Sequence, residues 1–362
     1  MESFFCLIFG RGTEGLPIGV IYGKIGMDIS NAGEEERCMK IALLEPLGVS
    51  EALIRELAAP IKSQGHEFIY YPEKTTDIEE LKRRSAGCEV IMIANNPYPA
   101  AVIGATDKLR LLNVAFTGID HVDLDACRKK GILICNAANY SNQTVAELVI
   151  GMTVGLLRKI SEGDHAVRLG GTSAGLRGRE ISGRTVGVIG TGRIGMIVAK
   201  LFLAFGAKVI AHDLVINQEA QALGIEYVDL ETLLRTSDII TLHTPNAPTT
   251  RGLISRERIA MMPPHAVFIN CARGPIVDNA ALADALNRGA IAGAGIDVYD
   301  MEPPLPADYP LLHAKNTVLT PHVAFLSDES MIRRAHIAFD NTLAYLAGSP
   351  QNICNFRKHT AF

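Results

Sequence analysis

The chain has 362 residues and a formal charge of −4, with 48% hydrophobic and 20% charged residues. At about 100–200 residues per domain, this length suggests two domains with ordinary globular cores. The mild acidity and the lack of a long Lys/Arg block argue against a nucleic acid as partner, and no apolar run approaches the roughly 20 residues of a bilayer span, so no membrane partner is expected.

Seven cysteines, an odd number with no C-x-x-C spacing, point away from a disulfide framework and a zinc ribbon, and toward a reducing cytoplasm. Most read as small buried apolar side chains, and no metal site is expected. The N-terminus lacks a basic n-region and a small-residue cleavage site, which argues against a signal peptide. Residues 1 to about 38 scatter glycines without periodicity and offer little to bury, so they are expected to be a disordered or non-native extension. Met39 is then the expected start, with Gly33-Glu34-Glu35-Glu36 encoded by a purine-rich stretch of the kind that precedes bacterial start sites.

A regular pattern begins at Lys40. Apolar or β-branched runs at 41–44, 68–71, 90–94, 112–115 and 132–135 predict strands, and helical patterns such as 50–64 and 77–85 lie between them. Such alternation predicts a parallel sheet covered by helices. A long helical pattern over about 143–169 is interrupted by Gly151, Gly155 and Gly163, which suggests close packing against a neighbouring helix. A second alternating series follows, with strands expected at 185–189, 208–212, 239–242, 267–270, 293–297 and 317–319, and a last helix over about 327–347.

The second series opens with Gly190-Thr191-Gly192-Arg193-Ile194-Gly195, a G-x-G-x-x-G turn entered from an apolar strand and left through a helical pattern. Gly190 permits the tight turn, Gly192 lets a pyrophosphate approach the backbone, and Gly195 allows helix and strand to pack closely. The helix N-terminus then faces the anion with unpaired N–H groups and a favourable dipole. Asp213 ends the next strand, 18 residues after Gly195. Its carboxylate suits the adenosine ribose hydroxyls and would repel a 2′-phosphate, so NAD is expected over NADP. A bare helix-capping aspartate is the competing reading, outweighed by strand, turn, helix, strand and acid arriving in order.

Three further strand ends carry reactive side chains: Arg273 beside Gly274, the acids Asp297, Asp300 and Glu302, and His322 after Pro321. In doubly wound sheets ligands bind outside the carboxyl ends of strands. Hydride transfer to a 2-oxo acid needs a cation for the carboxylate and carbonyl, a general acid for the nascent alkoxide, and a partner for that acid. Taken singly, a histidine after proline or an arginine in a turn is usually structural.

With the segments 116–123 and 141–147, these motifs resemble the D-isomer-specific 2-hydroxyacid dehydrogenase family in its short form, over about residues 40–347. The resemblance implies an α/β fold of two Rossmann/flavodoxin-like doubly wound parallel-sheet domains, the first discontinuous in sequence. Residues 40–140 and 326–362 would form the substrate domain, and 141–325 the NAD-binding domain. It implies catalytic roles for Arg273 on the substrate, His322 as proton donor and Glu302 as its partner. It also implies cofactor contacts from Gly190, Gly192, Arg193, Ile194, Gly195, Asp213, Thr244, Cys271, Ala272 and Asp297, with Asp297 at the nicotinamide carboxamide. The loop holding Asn95 and Asn96 would offer N–H groups to the substrate carboxylate, although Pro97 and Pro99 have none.

The implied activity interconverts a D-2-hydroxy acid and its 2-oxo acid with NAD, on a glycerate- or hydroxypyruvate-like substrate, in a cytoplasmic homodimer. One alternative is 3-phosphoglycerate oxidation, which would need extra cations from Arg83, Lys108 or Arg110; only 40 residues follow His322, too few for a regulatory domain. An alternative of another class is a non-catalytic NAD-sensing binding protein, which would not need Arg273, Glu302 and His322 together.

Overall fold

The computed structural model describes residues 38–354. The expectations for the N-terminal segment lie outside the described residues, apart from its last position, the exposed Cys38. From Lys40 the chain forms β1 (Lys40–Leu43), α1 (Glu51–Ser63), β2 (Glu67–Tyr70), α2 (Ile78–Ser85), β3 (Val90–Ile93), α3 (Ala100–Ala105), β4 (Leu111–Val114), α4 (Leu124–Lys129) and β5 (Leu133–Asn136). The strands build an all-parallel sheet in the order β2-β1-β3-β4-β5. β3 and β4 are buried at every position, which explains why apolar residues fill them apart from Asn113 in β4: a parallel sheet is covered on both faces. Side-chain caps start α1, α2 and α4, with Ser50, Asp77 and Asp123 accepting from Leu53, Glu80 and Ala126 N–H.

The connector differs from the single helix expected. α5 (Asn142–Arg158) and α6 (Ile160–Arg168) meet at Lys159, whose φ of 52° is left-handed and caps α5 through its N–H to the Gly155 and Leu156 carbonyls. None of the three glycines makes the break. A Cβ on Gly151 would meet nothing, and those on Gly155 and Gly163 would make only ordinary contacts at 3.9 and 4.0 Å. Among the described residues no other helix of this chain packs closely on these three positions.

The second series forms β6 (Thr185–Ile189), α7 (Arg193–Ala204), β7 (Lys208–His212), α8 (Gln218–Ala222), β8 (Glu226–Tyr227), α9 (Leu230–Thr236), β9 (Ile239–Leu242), α10 (Arg256–Ile259), β10 (Val267–Asn270), α11 (Asn279–Asn287), β11 (Gly293–Ile296) and β12 (Thr317–Leu319). All seven strands are parallel, in the order β12-β11-β10-β9-β6-β7-β8. The order reverses between β6 and β9, which opens a crevice at their carboxyl ends.

The last helix, α12 (Asp328–Leu346), returns to the first sheet. A capping box of Ser327 and Ser330 starts it. Phe339, fully buried, packs on Phe68 at 5.5 Å between ring centroids. Asn113, buried in β4, donates to the Ala338 carbonyl at 2.6 Å and to Thr342 Oγ1 at 2.9 Å. Among the described residues no helix is long and apolar enough to cross a membrane, and no acid, histidine and cysteine cluster could hold a metal ion.

Candidate active site

The glycine turn sits at the crevice. A Cβ on Gly190, whose φ is +96°, would lie 2.8 Å from the His243 carbonyl oxygen, and one on Gly195 would overlap the Gly190 carbonyl. Both are demanded by the protein's own packing. Gly192 differs: a Cβ there would stand in open space. It caps α7, so the space lies over a helix N-terminus suited to a diphosphate. Across the crevice, Thr244 Oγ1 is buried with no partner among the described residues. An open cradle beside an unsatisfied hydroxyl fits a dinucleotide.

Asp213 does more than face this space. Its Oδ2 accepts from Thr191 N–H at 2.6 Å and from the Thr191 hydroxyl at 3.0 Å, leaving Oδ1 with a longer bond from Val215 N–H at 3.3 Å. Asn217 Nδ2 donates to the Thr191 carbonyl and the Tyr227 hydroxyl donates to Thr191 Oγ1. Neither residue stood out in the sequence. Arg193 reaches back to Asn139 Oδ1 at 2.6 Å, on the segment between β5 and α5. Ile194 is half-buried behind it. Cys271 turns inward, its Sγ 3.8 Å from Met152 Sδ, and burial holds its thiol well above the ordinary range. Ala272 N–H donates to Asn270 Oδ1.

His322 lies after β12 with φ +56°, a conformation that costs a non-glycine residue of order 1–3 kcal/mol. Asp297 holds it there. The His322 N–H donates to the Asp297 carbonyl, and the fully buried Asp297 carboxylate accepts from Thr320 Oγ1, Val323 N–H and Ala324 N–H at 2.6, 2.8 and 2.9 Å. The imidazole Nδ1 is 3.0 Å from both Glu302 oxygens. The hydrogen bond from His322 holds the Glu302 carboxyl below the usual carboxylate range against its partial burial, with help from the His322, Arg273 and Lys74 charges. Edge contacts from Phe116 and Phe325, at 6.0 and 5.7 Å, fix the ring plane.

Arg273 follows β10. Its Nη1 donates to the Ala272 carbonyl at 2.7 Å and its Nε to Asp120 Oδ2 at 3.2 Å. Asp120 and Phe116 belong to one segment after β4, so Arg273 and His322 flank the same loop of the first sheet. His121, next along it, is pushed down to about 4 by burial and its Nε2 has no partner among the described residues.

The loop after β3 is held from beneath. Buried Glu45 accepts Ala94 N–H at 2.7 Å and Asn96 N–H at 2.9 Å through one oxygen, so the Asn96 N–H is already engaged. The Asn96 amide is itself buried with neither polar atom paired among the described residues. Asn95 Oδ1 accepts from Lys74 Nζ at 2.9 Å. Lys74 is a cation at this end of the sheet. Of the three considered from sequence, Arg83 pairs with Glu80 on α2, and Lys108 and Arg110 precede β4 at the opposite, amino end of the strands.

The family described as D-isomer specific 2-hydroxyacid dehydrogenase, NAD binding domain, matches residues 150–324. A glycerate dehydrogenase of Methylorubrum extorquens is 39% identical over 84% of this chain and 95% of its own length. A hydroxypyruvate reductase of Blautia hydrogenotrophica is 33% identical over 82% of this chain and 94% of its own. Among solved structures, a D-lactate dehydrogenase from Aquifex aeolicus complexed with NAD and lactic acid superposes with a TM-score of 0.77 at 29% identity, covering 88% of this chain and all of that one. The chain belongs to the D-isomer-specific 2-hydroxyacid dehydrogenase family. It is an NAD-dependent oxidoreductase acting on the CH–OH group of 2-hydroxy acids.

Proposed function

We propose that this enzyme interconverts a small polar D-2-hydroxy acid and its 2-oxo acid, with hydroxypyruvate as the favoured substrate for reduction. The observation that carries the reading is the convergence of Arg273, Glu302 and His322 from three strand ends on one loop of the first sheet. Arg273 pairs with the substrate carboxylate and polarises the carbonyl. His322 donates the proton to the nascent alkoxide from Nε2, because Nδ1 is engaged by Glu302. The residues of the crevice would hold NADH, which when bound would supply the hydride. Gly192, Arg193 and Ile194, on the turn that Gly190 and Gly195 shape, would seat the pyrophosphate, Asp213 the ribose, and Thr244, Ala272 and Asp297 would border the nicotinamide side with Cys271 packed behind them. The exposed Leu214, Val215 and Ile216 beside Asp213 offer an apolar wall for the adenine.

In this reading 40–140 with α12 is the substrate domain and 141–325 the cofactor domain. The Lys74–Asn95 pair gives the substrate side a polar rim, which suits a C3 hydroxyl better than the methyl of pyruvate. The relatives named glycerate dehydrogenase and hydroxypyruvate reductase support the same choice. The protein acts as a cytoplasmic homodimer, α6 supplying exposed Ile160 and Val167, with exposed Leu169 just beyond it, to the contact. NADH oxidation with glyoxylate, hydroxypyruvate, pyruvate and 3-phosphohydroxypyruvate tests the substrate. Highest kcat/KM with hydroxypyruvate is expected; preference for the phosphorylated acid would move the assignment to serine-pathway chemistry. Sedimentation tests the dimer.

A further inference from the structure

We infer that Asp120 is a positioning residue that aims the Arg273 guanidinium at the substrate, with Gly118 leaving the space in which the guanidinium lies. The inference rests on the proposed role of Arg273 in binding the 2-oxo acid. Three observations carry it. The Arg273 Nε donates to Asp120 Oδ2 at 3.2 Å, across 153 residues of sequence. The Nη1 donates to the Ala272 carbonyl at 2.7 Å. The Nη2 lies over Gly118 so closely that a Cβ there would overlap it.

A guanidinium has five N–H donors in a rigid plane, at the end of a side chain with about 2 kcal/mol of rotamer entropy. Two donors are committed here, Nε to the first sheet and one on Nη1 to its own strand end. Three remain, one on Nη1 and two on Nη2, enough for a bidentate carboxylate pair. The aimed plane is therefore fixed before substrate arrives, and the immobilisation does not have to be made on binding. The anchor comes from the opposite sheet, so the guanidinium is set only when both sheets are in place. Asp120 is half exposed and Arg273 largely covered, at 50% and 28% of their side chains. As a stability element such a partly solvated pair contributes little, which leaves orientation as its consequence.

The test compares Asp120→Ala, Asp120→Asn, Gly118→Ala and Arg273→Ala in the full-length enzyme. Readouts are kcat and KM for hydroxypyruvate, inhibition by oxamate, NADH affinity and melting temperature. Asp120→Ala is expected to lower kcat/KM at least tenfold and weaken oxamate comparably, with NADH affinity unchanged. Asp120→Asn keeps an acceptor for Nε and is expected to recover most of the loss. Gly118→Ala displaces Nη2 and is expected to reproduce the defect, with little further loss when Asp120→Ala and Gly118→Ala are combined. Wild-type kinetics in Asp120→Ala beside an inactive Arg273→Ala would overturn the positioning role. So would an Asp120→Asn variant that folds yet is as impaired as the alanine. Wild-type turnover in Arg273→Ala would instead remove the reading on which the inference rests.

Discussion

Asp297 and His322 are joined through the backbone and through a buried carboxylate. The His322 N–H donates to the Asp297 carbonyl at 2.8 Å, while the Asp297 side chain binds the next two N–H groups and the Thr320 hydroxyl. An amide in place of the carboxylate turns one acceptor into a donor facing an N–H. Asp297→Asn is therefore expected to destabilise the fold by about 2–3 kcal/mol, the scale of a hydrogen bond to a charged acceptor. It is also expected to lower kcat by about 100-fold, because His322 loses its left-handed turn. Chemical denaturation and steady-state kinetics measure the two effects. A stable, fully active variant would show that the turn holds itself.

The Glu302–His322 pair sets a pH dependence whose sign follows from charge. Glu302 lies 3.0 Å from the His322 Nδ1, and Glu302→Gln is expected to lower kcat for reduction by about 10-fold or more with NADH affinity unchanged, read by steady-state kinetics. The pH dependence is carried by stability. Glu302 is held below the usual carboxylate range, so its contribution is present above the ordinary carboxylate pKa and is lost as pH falls through the depressed value. The Gln variant should lose that part of the acid sensitivity, read as melting temperature between pH 6 and pH 3. Wild-type kcat in the Gln variant would show that His322 needs no carboxylate beside it.

Strands buried on both faces were legible because apolar side chains fill nearly all of their positions, as at Val90–Ile93. β8 was not: it has two residues, Glu226 and a half-buried Tyr227, at a sheet edge, where no apolar run is required. The break at Lys159 left no trace either, since neither Gly nor Pro marks it. The same division holds in the site. Arg273, Glu302 and His322 stand at strand ends inside recognisable segments. The contacts that support the site do not: Asp120 meets Arg273, Lys74 meets Asn95, Asn139 meets Arg193 and Tyr227 meets Thr191 across 153, 21, 54 and 36 residues of sequence, through distances only the folded chain defines.

Asn113 offers a stability test away from the cleft. It is a buried polar residue in the middle of β4, and its amide ties the sheet to the Ala338 carbonyl and Thr342 of α12. Asn113→Ala removes both bonds and opens a small void beneath the helix. A loss of about 2–3 kcal/mol is expected, measured by urea unfolding. Kinetic constants should stay close to wild type at temperatures where the variant is folded. Asn113→Leu would refill the void yet leave the Ala338 carbonyl and Thr342 Oγ1 without the amide donor, so it should recover only part of the loss. Full recovery by leucine would show that packing alone holds α12.

Cofactor choice should respond to Asp213 in two ways at once. One carboxylate oxygen holds the Thr191 N–H and hydroxyl, so it keeps the glycine turn in shape. The other is less engaged and is the acceptor proposed for the ribose hydroxyls. Asp213→Ala removes both, and NADH affinity is expected to fall by about 10-fold or more, the scale of one lost charged hydrogen bond. NADPH is expected to lose less, because the repulsion against its 2′-phosphate disappears while the turn is loosened equally for both cofactors. The ratio of kcat/KM for NADH over NADPH should therefore narrow even as both values drop. Thr191→Val separates the two roles: it disturbs the turn but keeps the carboxylate, so it should lower both cofactors together and leave the ratio unchanged. If instead Asp213→Ala lowered both in equal proportion, Asp213 would be a builder of the turn and not a reader of the ribose.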